Sequence, residues 1–254
     1  MDSIKNEIGV IILAAGKGTR MKSDKAKVLH EILERPMISY VAETAVNIAN
    51  ENVIVVVGHQ AENVRKVVEK DYKIAFAIQS EQLGTGHAVM CALPYLNNNV
   101  KCVVVLCGDV PLISCKTIEN LIQKHKDEKC DISLLAVEIE NPAGYGRIIL
   151  DVHGKVSNIV EEADATPEQK KIKVINAGIY CIDTECLKLL LKDILPNNAQ
   201  GEYYLTDIIE VGNLQNKKIG LSISKEQDEI IGINDVKALQ VVENIMRERS
   251  GKIS

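Results

Sequence analysis

Residues 16–27, GKGTRMKSDKAK, put two glycines and five cations into one short loop. Gly16 and Gly18 let the backbone approach a ligand and turn N–H groups toward it. Lys17, Arg20, Lys22, Lys25 and Lys27 are opposed only by Asp24. In a chain of net charge −5, that is a local positive field suited to a polyphosphate. A carboxylate stands ready to join it. Asp109, in LCGDVPL with Cys107 and Gly108, ends an apolar run, where it is placed to hold Mg²⁺. Its competing role is to cap the next helix.

A third segment, QSEQLGTGHAV (79–89), is a Gly-Thr-Gly loop opening a helix. Gln79, Gly84 and Thr85 offer an amide, backbone N–H groups and a hydroxyl to the edge of a base, although the same residues also make a plain turn. His87 is a candidate base but fits better as a structural residue of the helix's first turn. Asn176 and Asn234 each follow an apolar run and compete as turn or cap residues. Glu161 and Glu162 are read alternatively as the polar end of a strand, and Tyr203 and Tyr204 as packing.

Two phosphate-binding patterns fail on the opening loop. A dinucleotide fingerprint needs a third glycine, and Met21 stands there. A P-loop needs a glycine five residues before Gly16 and Ser or Thr after Lys17, and has neither. The apolar stretch before the loop is short, and Asp2 and Glu7 flank Lys5, so it reads as a buried strand rather than a signal peptide.

Elements that position these residues recur along the chain. Runs at 10–15, 52–58, 73–78, 102–106 and 132–137 are β-branched and uniformly apolar. Helical periodicity lies between them at 37–49, 61–69, 87–96 and 117–126. Strand alternating with helix predicts an α/β fold with a mostly parallel sheet and its ligand rim at the strands' carboxyl ends. After Glu140 the pattern changes: 146–151 and 155–162 flank Gly154 as a hairpin, and 175–183 is another strand, so a small antiparallel lobe joins the same sheet. Helices follow at 184–194 and 206–214, a strand at 218–224 and a last helix from Asp235 to about Arg249.

Composition excludes several classes. Of 254 residues 46% are hydrophobic and only 3% aromatic, so the core is aliphatic. Acidic balance and scarce aromatics argue against nucleic acid. No run is long enough to cross a bilayer. The seven cysteines have no C-x-x-C spacing and no two histidines are close, which speaks against a disulfide framework or zinc site. They read as small buried hydrophobes in a reducing, cytoplasmic setting.

Taken in order, LAAGKGTRM, KVLH, QSEQLGTGHAV, GDVPL, NPAGYGRI, VEEADAT, INAGIY, NAQGEYYLTDII and GIND resemble the N-terminal half of the bacterial GlmU family. Those proteins are bifunctional N-acetylglucosamine-1-phosphate uridyltransferases and glucosamine-1-phosphate N-acetyltransferases. The resemblance covers about residues 8–240. It implies a Rossmann-like, GT-A-like nucleotidyltransferase domain over 1–235, and a C-terminal helix at 236–254 where the family's β-helical acetyltransferase half would begin. It further implies UTP and N-acetylglucosamine 1-phosphate as substrates, Mg²⁺ as cofactor and cell-wall precursor synthesis as the setting. On it, Leu13, Ala14, Ala15 and Gly16 line the nucleotide while Gln79, Gly84 and Thr85 read uracil. Arg20 and Lys27 hold the triphosphate, with Asp109 catalytic beside them. Asp109 and Asn234 bind Mg²⁺, and Gly146, Glu161 and Asn176 hold the sugar. Cys107 stands where many relatives have Tyr, close to the sugar. Ala26 replaces their Pro, which is expected to loosen the loop. Hexapeptide repeats are absent, and without that trimerising half a monomer or weak oligomer is expected. Rival readings are transfer to another nucleotide or sugar phosphate, and a silent nucleotide-sugar sensor. A nicotinamide oxidoreductase is disfavoured by Met21.

Overall fold

In the computed structural model of the chain, residues 5–21 and 23–251 are described. Lys22, one of the loop cations, lies outside them, as do the last three positions of the expected C-terminal helix. Strand β1 (Ile8–Ala14) is apolar almost throughout because helices cover both of its faces. It pairs in parallel with β4 (Val53–Val57) on one side and β6 (Cys102–Cys107) on the other, and β5 (Ala75–Ile78) extends the sheet beyond β4. The other half is made by β7 (Ile132–Glu138), β10 (Val174–Asp183) and β11 (Ile219–Ser224). The order across is β11-β7-β10-β6-β1-β4-β5.

The expected α/β fold with a mainly parallel sheet is what forms, with one refinement. The antiparallel strand β10 lies in the middle of the sheet, between β6 and β7, and not only in the lobe. Chain routing is the reason. The chain leaves β7 at the ligand rim and makes the hairpin of β8 (Arg147–Leu150) and β9 (Val156–Val160) there. It then re-enters the sheet from that same rim, so β10 has to run the opposite way.

Alternate residues of the strands feed two cores. Ile12, Val55 and Leu106 pack under α1 (Met37–Ala49), α2 (Ala61–Glu69) and α4 (Cys115–Glu128). Ile11, Val56 and Val105 pack under α3 (Thr85–Ala92), α5 (Thr184–Leu190) and α6 (Ile208–Leu214). Each core helix turns its apolar face to the sheet, as period 3.6 requires. The last helix, α7 (Val236–Gly251), buries only Val242 completely. None of the described helices is long and apolar enough to cross a membrane.

One small ladder was not foreseen: β2 (Glu31–Ile32) with β3 (Arg35–Pro36). Its turn residues Leu33 and Glu34 have φ of 49° and 65°. Such turns normally announce themselves as Asn-Gly or Asp-Gly, and Leu-Glu gives no such signal.

Candidate active site

The opening loop leaves the carboxyl end of β1 at the rim. Gly18 adopts φ +64°, and any Cβ there would run into the Lys27 side chain. Glycine therefore lets the first half of the loop fold down on the stem of Lys27. Met21, where a third glycine would have signalled a dinucleotide site, is instead buried as a core anchor. The second half does not depend on proline for rigidity. Ala26 donates its N–H to Gln60 Oε1 at 3.1 Å, and Gln60 Nε2 donates to the Asp24 carbonyl at 2.6 Å. A proline has no N–H for that first bond. The expected loosening is thus offset by a clamp from the turn before α2.

Three segments distant in sequence meet at Lys27. Its ammonium donates to Asp109 Oδ2 and, at 3.1 Å, to Asn234 Oδ1. Arg20 Nη2 donates to the same Asn234 oxygen at 3.2 Å. Backbone bonds hold the segments in place: Gly108 N donates to the Leu13 carbonyl, and Ile233 N to the Asp109 carbonyl, each at 2.9 Å. The alternative capping roles fall away. Ser114 caps α4 by accepting from Thr117 N, and Asp235 Oδ1 accepts from Ala238 N at the start of α7. Of the loop cations, Lys25 turns away to Glu31 at 3.0 Å. Among the described residues, the local field is carried by Lys17, Arg20 and Lys27.

A cavity of about 440 Å³ runs along the rim from this cluster, within the usual size of small-molecule sites. It is lined by Leu13, Ala14, Ala15 and Gly16 from the end of β1, by Gln79, Gly84 and Thr85, and by Lys27, Cys107 and Asp109. Gln79 is buried, and its Nε2 donates to the Gly84 carbonyl at 2.9 Å and faces His87 Nδ1 at 3.1 Å. Because a carbonyl can only accept, the amide nitrogen must face Gly84, and Oε1 remains as the acceptor for a ligand. His87 is a structural partner of this amide. Thr85 Oγ1 accepts from Leu205 N at 2.9 Å, leaving its proton free to donate.

The comparisons with known proteins can be set against this geometry. The family model described as "Nucleotidyl transferase" matches residues 9–226. This chain belongs to the nucleotidyl transferase family. A protein of Desulfotalea psychrophila named "Bifunctional protein GlmU" is 40% identical over 98% of this chain and 73% of its own length. Another so named, from Geotalea uraniireducens, is 43% identical over 97% of this chain and 54% of its own. These matches bear out the resemblance read from the motifs. The chain spans about half the length of most of the curated relatives it matches. A solved UDP-glucose pyrophosphorylase in complex with UDP-glucose superposes with a TM-score of 0.75 at 17% identity, covering 95% of this chain and 98% of that one. That likeness shows the shared fold.

The remaining expected residues of the nucleotidyltransferase form a second cluster behind Cys107 and do not line the cavity. Gly146 lies against Glu161, whose Oε2 is 3.3 Å from where a Cβ would stand. Asn176 N donates to the Gly146 carbonyl at 2.9 Å. Burial raises the Glu161 carboxyl above its ordinary value. Asn176 is internally engaged: Nδ2 donates to Tyr180 Oη at 2.7 Å and Oδ1 accepts from Gly178 N at 3.1 Å. Cys107 joins the two clusters, and burial pushes its thiol up to about 12.

Several lining residues were missed by sequence reasoning. Gln82 belongs to the Gly-Thr-Gly segment, and its Nε2 donates to the Gln79 carbonyl at 3.2 Å. Lys17 and Gly18, read as part of the ligand-facing loop, also line the cavity. Glu202 lies in the NAQGEYYLTDII motif but was given no role there. It reaches the cavity because the segment at 202–204 docks under Gly84.

Proposed function

We propose that this nucleotidyltransferase transfers uridylyl from UTP to N-acetylglucosamine 1-phosphate, releasing pyrophosphate and forming UDP-N-acetylglucosamine. The observation that carries the reading is the convergence of Lys27, Asp109, Asn234 and Arg20, of which Lys27 and Asp109 line the same cavity as Gln79, Gly84 and Thr85. The sugar phosphate is already an anionic nucleophile, so no strong base is required. Its oxygen attacks the α-phosphorus as the bond to pyrophosphate breaks. The obstacle is repulsion between two anions. Lys27 and Arg20 lower it and hold the negative charge that develops in line. Gln79 Oε1 accepts from uracil N3–H, which cytosine lacks.

Asp109 Oδ2 and Asn234 Oδ1 converge on the Lys27 ammonium, so both oxygens already face one cation. Hard oxygen donors of this kind fit Mg²⁺, with phosphate and water completing its shell. When bound, Mg²⁺ supplies Lewis-acid neutralisation of the phosphates. Gly146, Glu161 and Asn176 hold the sugar in this reading, residues 1–235 form the catalytic domain, and the helix from 236 extends it. Cell-wall precursor synthesis in the cytoplasm by a monomer or weak oligomer is the setting it supports.

The test is pyrophosphate release from N-acetylglucosamine 1-phosphate with UTP, dTTP, CTP or GTP, each with and without EDTA. EDTA-sensitive release, fastest with UTP, is expected. Release only with another nucleotide would keep the chemistry and overturn the base assignment. No release by the folded protein would overturn the proposal.

A further inference from the structure

At the opposite end of β6 from Asp109, four potential ligands gather on one face of the sheet. Asp183 pairs with Cys102, and Cys181 with both Val104 and Ser133, so the side chains of 102, 181, 183 and 133 share that face. Helix α4 lies over it and lowers His125 onto the group. The ligand atoms of Cys102, His125 and Cys181 all lie within 4.8 Å of one another, and all three residues are buried. The two thiols are 2.9 Å apart and share a hydrogen bond. His125 Nε2 lies 3.2 Å from Asp183 Oδ1, and the Asp183 side chain is 54% exposed.

We propose that Cys102, Cys181, His125 and Asp183 form a structural zinc site in this protein. Zinc takes thiolate sulfur at about 2.3 Å and imidazole nitrogen at about 2.0–2.1 Å in a tetrahedron, which spaces ligand atoms some 3.5–3.8 Å apart. The ligand atoms of Cys102, His125 and Cys181, all within 4.8 Å of one another, reach that with small side-chain shifts, and Asp183 adjoins them through His125. His125 Nδ1 lies 3.0 Å from Ser133 Oγ. With Nε2 on the metal, Nδ1–H donates to that hydroxyl, the kind of outer partner that orients a ligating histidine. Asp183 supplies the fourth, oxygen ligand and the access route from solvent. Two soft sulfurs select zinc over Mg²⁺, so this site does not compete for the ion expected at Asp109. Binding forms two Zn–S bonds, and each thiol releases one proton to solvent. Without metal, the bond to Cys102 and burial hold the Cys181 thiol well above its ordinary range. The site is about 17 Å along β6 from Cys107, five residues at about 3.3 Å each.

The test uses the full chain, stripped by chelator under reducing conditions and titrated with Co²⁺, then Zn²⁺. The expected result is about one equivalent of Co²⁺ bound with a thiolate-to-cobalt charge-transfer band, displaced by Zn²⁺, and a Zn²⁺-dependent rise in unfolding temperature. Cys181→Ser lowers the band by about half or more. Asp183→Ala, a change at an exposed residue that leaves folding undisturbed, weakens Zn²⁺ binding by about tenfold or more. A folded, stripped protein with no charge-transfer band overturns the proposal. So does a count of only five reactive thiols, out of seven in the sequence, after denaturation without reductant, because that reveals a disulfide. Zinc binding undiminished in both variants overturns it as well.

Discussion

Lys27 donates to Asp109 and Asn234 at once, so removing it leaves the Asp109 carboxylate without its cation and, on the proposed function, costs a phosphate contact. Lys27→Ala is expected to lower kcat by on the order of 10²-fold or more, the scale of losing one preorganised charge donor. Asp109→Ala is expected to remove turnover while circular dichroism stays that of the wild type. Wild-type turnover in either variant would reduce this cluster to surface chemistry. Asp207 behaves differently. Burial, with Glu210, Glu161 and Asp164 nearby, raises its carboxyl to about 6, above an unfolded value of about 3.9. The folded state thus binds a proton that the unfolded state has lost. Its contribution is full below pH of about 4 and disappears as pH rises through about 6. Asp207→Asn is therefore expected to raise the melting temperature more at pH 7.5 than at pH 5. Equal increments at both would show that Asp207 ionises freely in the fold.

At the scale of elements, the helix α3 start is held by contacts that leave no room for a side chain. Gly84 has φ +109°, and a Cβ there would stand 2.5 Å from the Tyr203 carbonyl. Gly86 N donates to that same carbonyl at 2.7 Å. Gly84→Ala is expected to cost about 1–3 kcal/mol of stability and to raise the KM for nucleotide more than that for sugar phosphate. Urea denaturation and steady-state kinetics check the two effects separately. An unchanged nucleotide KM would mean that this junction does not shape the base end of the cavity.

Across the whole molecule, one sheet carries two cores. Ile38 on α1 belongs to one and Leu187 on α5 to the other, both fully buried. Each →Ala substitution is expected to cost about 2–5 kcal/mol. Because the sheet separates them, the double variant should lie within about 0.3–0.5 kcal/mol of the sum. Denaturant midpoints with unchanged slopes would verify this. A large departure from additivity would show that the layers are coupled through the strands.

Much of this protein is legible in its sequence because the signals are local. Uniformly apolar runs announce doubly covered strands, and the helices at 37–49 and 61–69 form at the bounds their periodicity sets. The glycine and cation loop at the end of β1 is likewise a local signal, as is Asp109 after β6. What lies outside sequence reasoning is set by distance. The insertion of β10 between β6 and β7 follows from where the chain re-enters the sheet, and no residue in β10 encodes it. Glu202 reaches the cavity, and Asn234 reaches Lys27, only through docking of remote segments. Cysteine spacing argued against a metal site because local motifs bring ligands together along the chain. Here strand register and one helix bring Cys102, His125 and Cys181 together across it. Sequence determined which residues could do chemistry, since side-chain type and local backbone preference are properties of short segments. Only the tertiary structure decided which of them meet, because contact between remote residues depends on how the layers pack.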